Sequence, residues 1–372
     1  MKLDLPSSAF AKPPAETRVV VAMSGGVDSS VTAALLKEAD FDVVGITLQL
    51  YDHGVAIDKP GTCCAGRDIH DARRVADHIG IPHYVLDFEQ RFREQVMEAF
   101  ADTYLAGETP IPCVLCNDTI KFKDLLDRAK DLGADALVTG HYVRRIDGPD
   151  GAELLRGQDA SRDQSYFLFS TPKAALEKLW FPLGTCTKDE ARAEAVRLGL
   201  DIAAKPDSQD ICFVPQGKYL DVVEKLRPGA ADSGDIVDMD GKVLGRHDGV
   251  IKFTVGQRRG LGLSVPESVY VIKLDAATKQ VVVGAKSDLL AQAFTIRDIN
   301  WLGTGETIPK DGFTCTAKLR STSPLVAIHV MPLDDNRAQI HLQEPFAGIA
   351  PGQACVFYDG ERLLGGGWIE KT

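Results

Sequence analysis

No stretch of the 372-residue chain approaches the roughly 20 consecutive apolar residues that a membrane-spanning helix needs, so a membrane protein is not expected. The first 17 residues lack a long apolar run, carry Asp4 and Glu16, and contain Pro6, Pro13 and Pro14. Neither a secretory leader nor an Arg-rich transit peptide fits that composition, and residues 1–17 read as a disordered lead to a cytoplasmic protein. No internal repeat of fixed period and no low-complexity tract is present, so a repeat architecture is not expected. Positive charge is not in excess either: 53 acidic against 42 basic residues leave a formal net charge of −11. That excludes a uniformly basic nucleic-acid coat, but not a local patch such as Gln257-Arg258-Arg259 or Lys318-Leu319-Arg320.

What the chain does have is an ordinary globular composition, 44% hydrophobic and 26% charged, with length for two or three domains. From Arg18 to about Gly140, short β-branched runs alternate with amphipathic helical patterns. Such alternation implies a parallel sheet covered on both faces, with ligands beyond the carboxyl ends of its strands. Two further helical patterns span 172–179 and 188–198, the second behind a Thr187 cap. After about Arg227, Gly- and Asp-rich turns separate short strands, which predicts small antiparallel barrels. The expected organisation is a lead (1–17), an α/β nucleotide-binding domain (18–226), a central β-rich domain (227–290) and a C-terminal β-barrel (291–372).

The segment Ser24-Gly25-Gly26-Val27-Asp28-Ser29-Ser30 follows a strand and opens a helix. Its glycines let the backbone approach an anion, and helix-start amides with the hydroxyls of Ser24, Ser29 and Ser30 can bond it. The common phosphate loop ends in Gly-Lys-Ser/Thr; here that lysine is missing and Asp28 stands in the loop. An acidic residue beside phosphates suits a Mg²⁺ ligand. The stretch resembles the pyrophosphatase loop of the ATP-pyrophosphatase superfamily, whose members split ATP between its α and β phosphates and leave AMP on a substrate. That resemblance implies ATP contacts at Ala22, Met23, Ser24, Gly25, Gly26, Val27, Asp28 and Ser29. Ala22 and Leu48 would bracket the nucleotide, and Gly140 would close over it.

Eight cysteines without a secretory signal point to thiol chemistry or metal binding before structural disulfides. Cys113 and Cys116 form a C-x-x-C before a helical pattern, where the helix dipole and free amides lower a thiol's pKa. Cys212 stands alone far along the chain. A thioredoxin-like pair needs no third thiol, and a structural zinc site wants a fourth ligand. Cys63 and Cys64 read as incidental small residues, with an extra redox pair as the alternative; Cys186, Cys315 and Cys355 read as core. His141 ends a strand beside the loop and is a candidate substrate contact, whereas His78 reads as packing or surface.

The ordered set AMSGGVDSS (22–30), CNDTIKFKDLL (116–126), VTGHYVR (138–144), RDQSYFL (162–168), DSQDICF (207–213), TVGQRRGLG (254–262) and PGQACVFYDG (351–360) resembles the tRNA-specific 2-thiouridylases over residues 18–372. The resemblance implies ATP and Mg²⁺, a wobble uridine flipped out of its stack, and a sulfur-donor protein that carries a persulfide. It assigns the persulfide to Cys212 and the catalytic nucleophile to Cys116, with a Cys116–Cys212 disulfide left by the transfer. It implies tRNA contacts at His141, Arg162, Asp163, Gln164, Arg320, Ser321 and Gln353. Many members have aspartate where this chain has Cys113. That departure keeps a second scheme open, in which Cys113, Cys116 and Cys212 ligate an iron-sulfur cluster that holds an exchangeable sulfide. A small-molecule ligase of the same superfamily would need neither Cys116 nor Cys212, and the intact loop argues against a non-catalytic RNA-binding module.

Overall fold

A computed structural model describes residues 3–51, 64–206, 211–214 and 219–371. Two compact units emerge: Met1–Gln95, Cys113–Phe213 and Glu361–Leu363 form one, and Val96–Pro112, Val214–Gly360 and Leu364–Thr372 form the other.

The first unit is built on strands β1 (Arg18–Ala22), β2 (Asp42–Gln49), β3 (His83–Asp87), β4 (Ala136–Val138) and, beyond a hairpin of β5 (Val143–Gly148) and β6 (Gly151–Arg156), β7 (Leu179–Trp180). They lie in the order β3-β2-β1-β4-β7, all neighbours parallel. Val19, Val20 and Val21 of central β1 are fully buried, as β-branched residues are when helices cover both faces of a sheet. Helices Val27–Glu38 and Cys64–Ile79 supply Val31, Leu35, Ala72, Val75 and Ala76 to that core. The helix Lys188–Arg197 begins at Thr187 in a full capping box with Glu190, so two orphan amide groups are satisfied at its start.

Three features differ from the sequence expectation. Residues 3–17 are ordered. Ala9 is buried, Phe10 meets Phe41 at 6.4 Å between ring centroids, and Ser7 Oγ and Ser8 N donate to Asp147 at 2.6 and 2.7 Å. A proline-rich segment thus finds partners in the buried Phe41 and the surface Asp147 that its composition does not reveal. Strand and helix alternation breaks after β4, where β5 and β6 pair antiparallel. Finally, two helical patterns contain π-helical stretches, Arg93–Met97 and Cys116–Leu125. A 3.6-residue apolar period cannot announce them, and π turns concentrate at functional sites.

In the second unit, helices Glu98–Leu105 and Tyr219–Leu226 pack together, with Tyr104 and Tyr219 stacked at 5.0 Å and Arg227 bonded to Asp102. Strands β8 (Gly234–Val237), β9 (Val243–His247), β10 (Tyr270–Asp275) and β11 (Gln280–Gly284) form a sheet in the order β10-β11-β8-β9, in which β11 and β8 are parallel. Strands β12 (Leu290–Trp301), β13 (Phe313–Lys318), β14 (Val326–Pro332), β15 (Ala338–Ala347), β16 (Ala354–Asp359) and β17 (Arg362–Ile369) run β12-β15-β14-β13-β16-β17. Pairing of β12 with β17 closes them into a barrel around Phe294, Ile328, Ile340, Phe357 and Ile369, which leaves no free edge. Among the described residues, no helix is long and apolar enough to cross a membrane.

Candidate active site

The loop after β1 turns at Gly25, whose φ of +71° suits glycine. A Cβ there would lie 2.1 Å from the Asp68 carbonyl oxygen, so the loop is locked against the start of the following helical layer. Gly140 approaches the same loop from β4, where a Cβ would sit 2.9 Å from the Asp28 carbonyl carbon and the Ser29 nitrogen. Ser29 Oγ accepts from Ser24 N at 3.1 Å and lies 3.2 Å from Ser24 Oγ. Beyond the carboxyl end of the sheet opens a cleft of about 220 Å³. Its lining includes Ala22, Met23, Ser24, Asp28, Ser29, Leu48, Gly140, His141 and Gln164, all singled out in the sequence. It also includes Ile46, Leu50, Lys121 and Thr139, which were not. Gly25, Gly26 and Val27 shape the loop without lining the cleft, and the buried Ser30 hydroxyl has no partner among the described residues. One apolar wall with a few converging polar groups suits a nucleotide.

The lysine missing from the loop arrives from elsewhere. Lys188, first residue of the helix behind Thr187, donates to both Asp28 oxygens at 2.8 and 2.9 Å, and Tyr142 Oη donates to Asp28 Oδ1 at 2.7 Å. Lys205 Nζ donates to Gly25 O at 2.9 Å while pairing with Asp68 and Asp71. The residues fit a Mg²⁺ ion bound chiefly through phosphates, because among the described residues Asp28 is the one carboxylate in the cleft lining and such ions take one or two carboxylates beside phosphate oxygens.

Cys113 lies in the short helix Pro112–Leu115, and Cys116 opens the π-helix that follows. Cys116 is buried, while Cys113 and Cys212 reach solvent. Cys212 is positioned by its neighbour Phe213, whose ring meets Phe92 at 5.7 Å, and Phe92 meets Tyr51 at 5.9 Å. The Tyr51 side chain in turn hydrogen-bonds Cys212. The three thiols therefore come within electrostatic reach of one another and of Lys121. The expectation of lowered thiol pKa values at this C-x-x-C is corrected: although Cys113 and Cys212 reach solvent, the protein packed around the thiols desolvates all three and raises their pKa values, with Lys121 pulling the other way, and Cys212 is pushed up to about 12. Cys116 continues an existing helical run and so has no free helix-start amides to stabilise its thiolate. Among the described residues, no three His, Cys, Asp or Glu side chains are gathered as a set able to hold a metal ion. Cys63 and the Cys64 side chain lie outside the described residues. Cys186 and Cys355 are buried and Cys315 is half-buried.

His141 faces the cleft with Nδ1 2.7 Å from Thr139 Oγ1. Burial, with Lys121 nearby, holds its pKa well below the ordinary value, so it is a neutral imidazole. Gln164 also faces the cleft, its Oε1 accepting from Tyr142 N at 2.9 Å. Arg162 is exposed. The Asp163 carboxylate is fully buried, pairing with Arg156 and accepting from Gly157 N and Ser165 N, and so it organises the loop. His78 lies on a helix face and is 3.0 Å from Leu198 O. In the second unit, Arg320 Nη2 donates to Gly348 O at 2.7 Å and Val255 O at 3.3 Å, Ser321 is half-buried beside it, and Gln353 Nε2 donates to Thr109 O at 3.1 Å. Lys318, in the patch suggested by sequence, is buried.

Comparison with known proteins places this geometry in a family. The tRNA methyl transferase HUP domain description matches residues 17–216, the corresponding PRC-barrel domain residues 221–285, and the aminomethyltransferase beta-barrel domain residues 291–369. The chain is 60% identical over 379 residues to the tRNA-specific 2-thiouridylase MnmA of Parvibaculum lavamentivorans, covering 100% of this chain and 94% of that protein. It is 59% identical to the protein of the same name from Rhodospirillum centenum, over 98% of this chain and 95% of that one. It is 58% identical to that of Hyphomonas neptunium, over 98% and 94%. Among solved structures, the U34-tRNA thiolase NcsA of Methanococcus maripaludis aligns at 20% identity with a TM-score of 0.38, over 61% of this chain and 71% of that one, a likeness too low to bear on function. By identity over its full length, the chain belongs to the tRNA-specific 2-thiouridylase family.

Proposed function

We propose that this protein is an ATP-dependent tRNA-uridine 2-sulfurtransferase that adenylates the 2-oxygen of the wobble uridine and replaces it with sulfur from a Cys212 persulfide. The observation that carries the reading is the junction of two chemistries in one unit. The π-helix that opens with Cys116 also sends Lys121 into the nucleotide cleft, and Cys212 lies within electrostatic reach of both. The 2-oxygen of a uracil leaves poorly as such. Its attack on the α-phosphorus of ATP expels pyrophosphate with the bonding electron pair and turns that oxygen into part of an AMP leaving group. Loop amides beside Ser24 and Ser29 suit the departing charge, and Mg²⁺ held by Asp28 would neutralise phosphate oxygens.

Sulfur follows. The Cys116 thiolate attacks the Cys212 Sγ of the persulfide, forms a Cys116–Cys212 disulfide and releases hydrosulfide. Hydrosulfide adds to C2, the C2–O bond breaks, and AMP departs, leaving 2-thiouridine. A thiol reductant reopens the disulfide, and a persulfide-bearing donor protein reloads Cys212. Arg162, Gln164, Arg320, Ser321 and Gln353 are proposed tRNA contacts, and His141, neutral and facing the cleft, is proposed to touch the flipped base.

The test is ATP–pyrophosphate exchange with and without tRNA, followed by thiouridine analysis of the product. tRNA-dependent exchange with thiouridine formation supports the reading; exchange without tRNA points to a small-molecule ligase and overturns it. The second reading, a cluster on Cys113, Cys116 and Cys212, rests on three thiols within electrostatic reach of one another, needs them to converge further because they are not gathered as a metal-holding set among the described residues, and is separated by the cysteine variants described below.

A further inference from the structure

We propose that Lys121 is a catalytic residue whose ammonium binds the α-phosphoryl group of the nucleotide, on the side of the cleft that faces the sulfur-transfer cysteines. This rests on the sulfurtransferase reading and extends it to a residue outside the loop.

Charge pairing singles out this lysine. Around the loop, Lys188 is bonded to Asp28 and Lys205 to Asp68 and Asp71, so carboxylates already offset their charge. Lys121 lines the cleft itself, and among the described residues its partner is a neutral amide, Asn117 Oδ1 at 2.9 Å. Asn117 is buried and donates to Phe167 O at 3.2 Å, which fixes the ammonium's direction. A half-buried cation held by an amide and facing an open cleft is a site for an anion. The carboxylate in the lining, Asp28, is already paired with Lys188, and neutral His141, Thr139, Gln164 and the apolar side chains supply no anion.

The π-helix explains why this lysine sits beside the thiols. In an α-helix, residues five apart point about 140° away from each other. In a ladder of i→i+5 bonds, residue i+5 returns nearly above residue i, so Lys121 comes round to the Cys116 side. Its charge acts on Cys113, Cys116, Cys212 and His141 alike. Lys121 therefore stands where the two half-reactions meet. When hydrosulfide adds to C2 and the C2–O bond breaks, the electron pair leaves on a phosphate oxygen of AMP, and the ammonium donates hydrogen bonds to that phosphate.

The experiment compares AMP and adenosine binding by titration calorimetry for the wild type, Lys121→Met and Lys121→Arg, alongside tRNA-dependent AMP formation. AMP affinity should fall at least about tenfold in Lys121→Met and recover in Lys121→Arg, while adenosine affinity is unchanged in both. AMP formation should fall about 100-fold or more in Lys121→Met. Unchanged adenosine binding certifies a folded cleft. Equal losses for AMP and adenosine, or no loss for AMP, overturn the proposal. Failure of the wild type to form AMP with tRNA would overturn the sulfurtransferase reading instead, whatever the variants do.

Discussion

Lys188 donates to both carboxylate oxygens of Asp28, across 160 residues of sequence. The cation absent from the phosphate loop is thus supplied by a helix start in a later part of the same unit, and Tyr142 bonds one of the same oxygens.

This pair should be essential for adenylation. Asp28→Ala and Lys188→Met are each expected to lower AMP formation by about 100-fold or more, while tRNA binding stays near wild type, since phosphate-backbone contacts on other surfaces position RNA. Asp28→Ala also removes two charge-assisted hydrogen bonds from the buried Lys188 side chain, and the melting temperature should fall by the equivalent of about 2 kcal/mol. Normal AMP release by Asp28→Ala would remove it from the site.

The cysteine variants separate the two sulfur schemes. With a persulfide, Cys116→Ser and Cys212→Ser are inactive, whereas Cys113→Ser retains substantial thiolation. With a cluster, loss of any one thiolate costs iron and activity together. Thiouridine yield from metal-free and anaerobically reconstituted enzyme decides between them. Iron-dependent activity lost in all three variants would eliminate the persulfide scheme.

Arg320 reports on the second unit. Its Nη2 braces Gly348 O and Val255 O, so Arg320→Ala should lower the melting temperature as well as weaken tRNA binding. If the guanidinium also meets a phosphate, the slope of log affinity against log salt should become shallower by about one. A lower melting temperature with an unchanged slope would leave Arg320 a structural brace only.

Asp147 makes stability depend on pH. Burial acts to raise its pKa, but bonds from Ser7, Ser8 and Arg145 prevail and hold it at about 2, below the ordinary 3.8. A carboxylate with a depressed folded pKa stabilises the fold above the unfolded value and loses that contribution as pH falls through the folded one. Asp147→Asn should therefore melt below wild type at pH 7, and the gap should close between about pH 4 and about pH 2. A gap constant over that window would disconnect Asp147 from the N-terminal segment.

Much of this protein was legible in its sequence because the signals are local. Valines 19–21 announce a strand, the glycines and serines of 24–30 announce an anion loop, and Thr187 announces a helix start, each through backbone and side-chain preferences within a few residues. The ordered motifs carried the family. Tertiary structure alone decided the rest. It brought Lys188 to Asp28, hung Cys212 on Tyr51 and Phe92, buried the Asp163 carboxylate, tied Ser7 and Ser8 to Asp147, and turned the helix after Cys116 into a π-helix that carries Lys121 to the cleft. The same burial raised the thiol pKa values that a helix start was expected to lower. Desolvation and the pairing of charges depend on what the whole chain packs around a group, and residue spacing along the sequence does not contain that information.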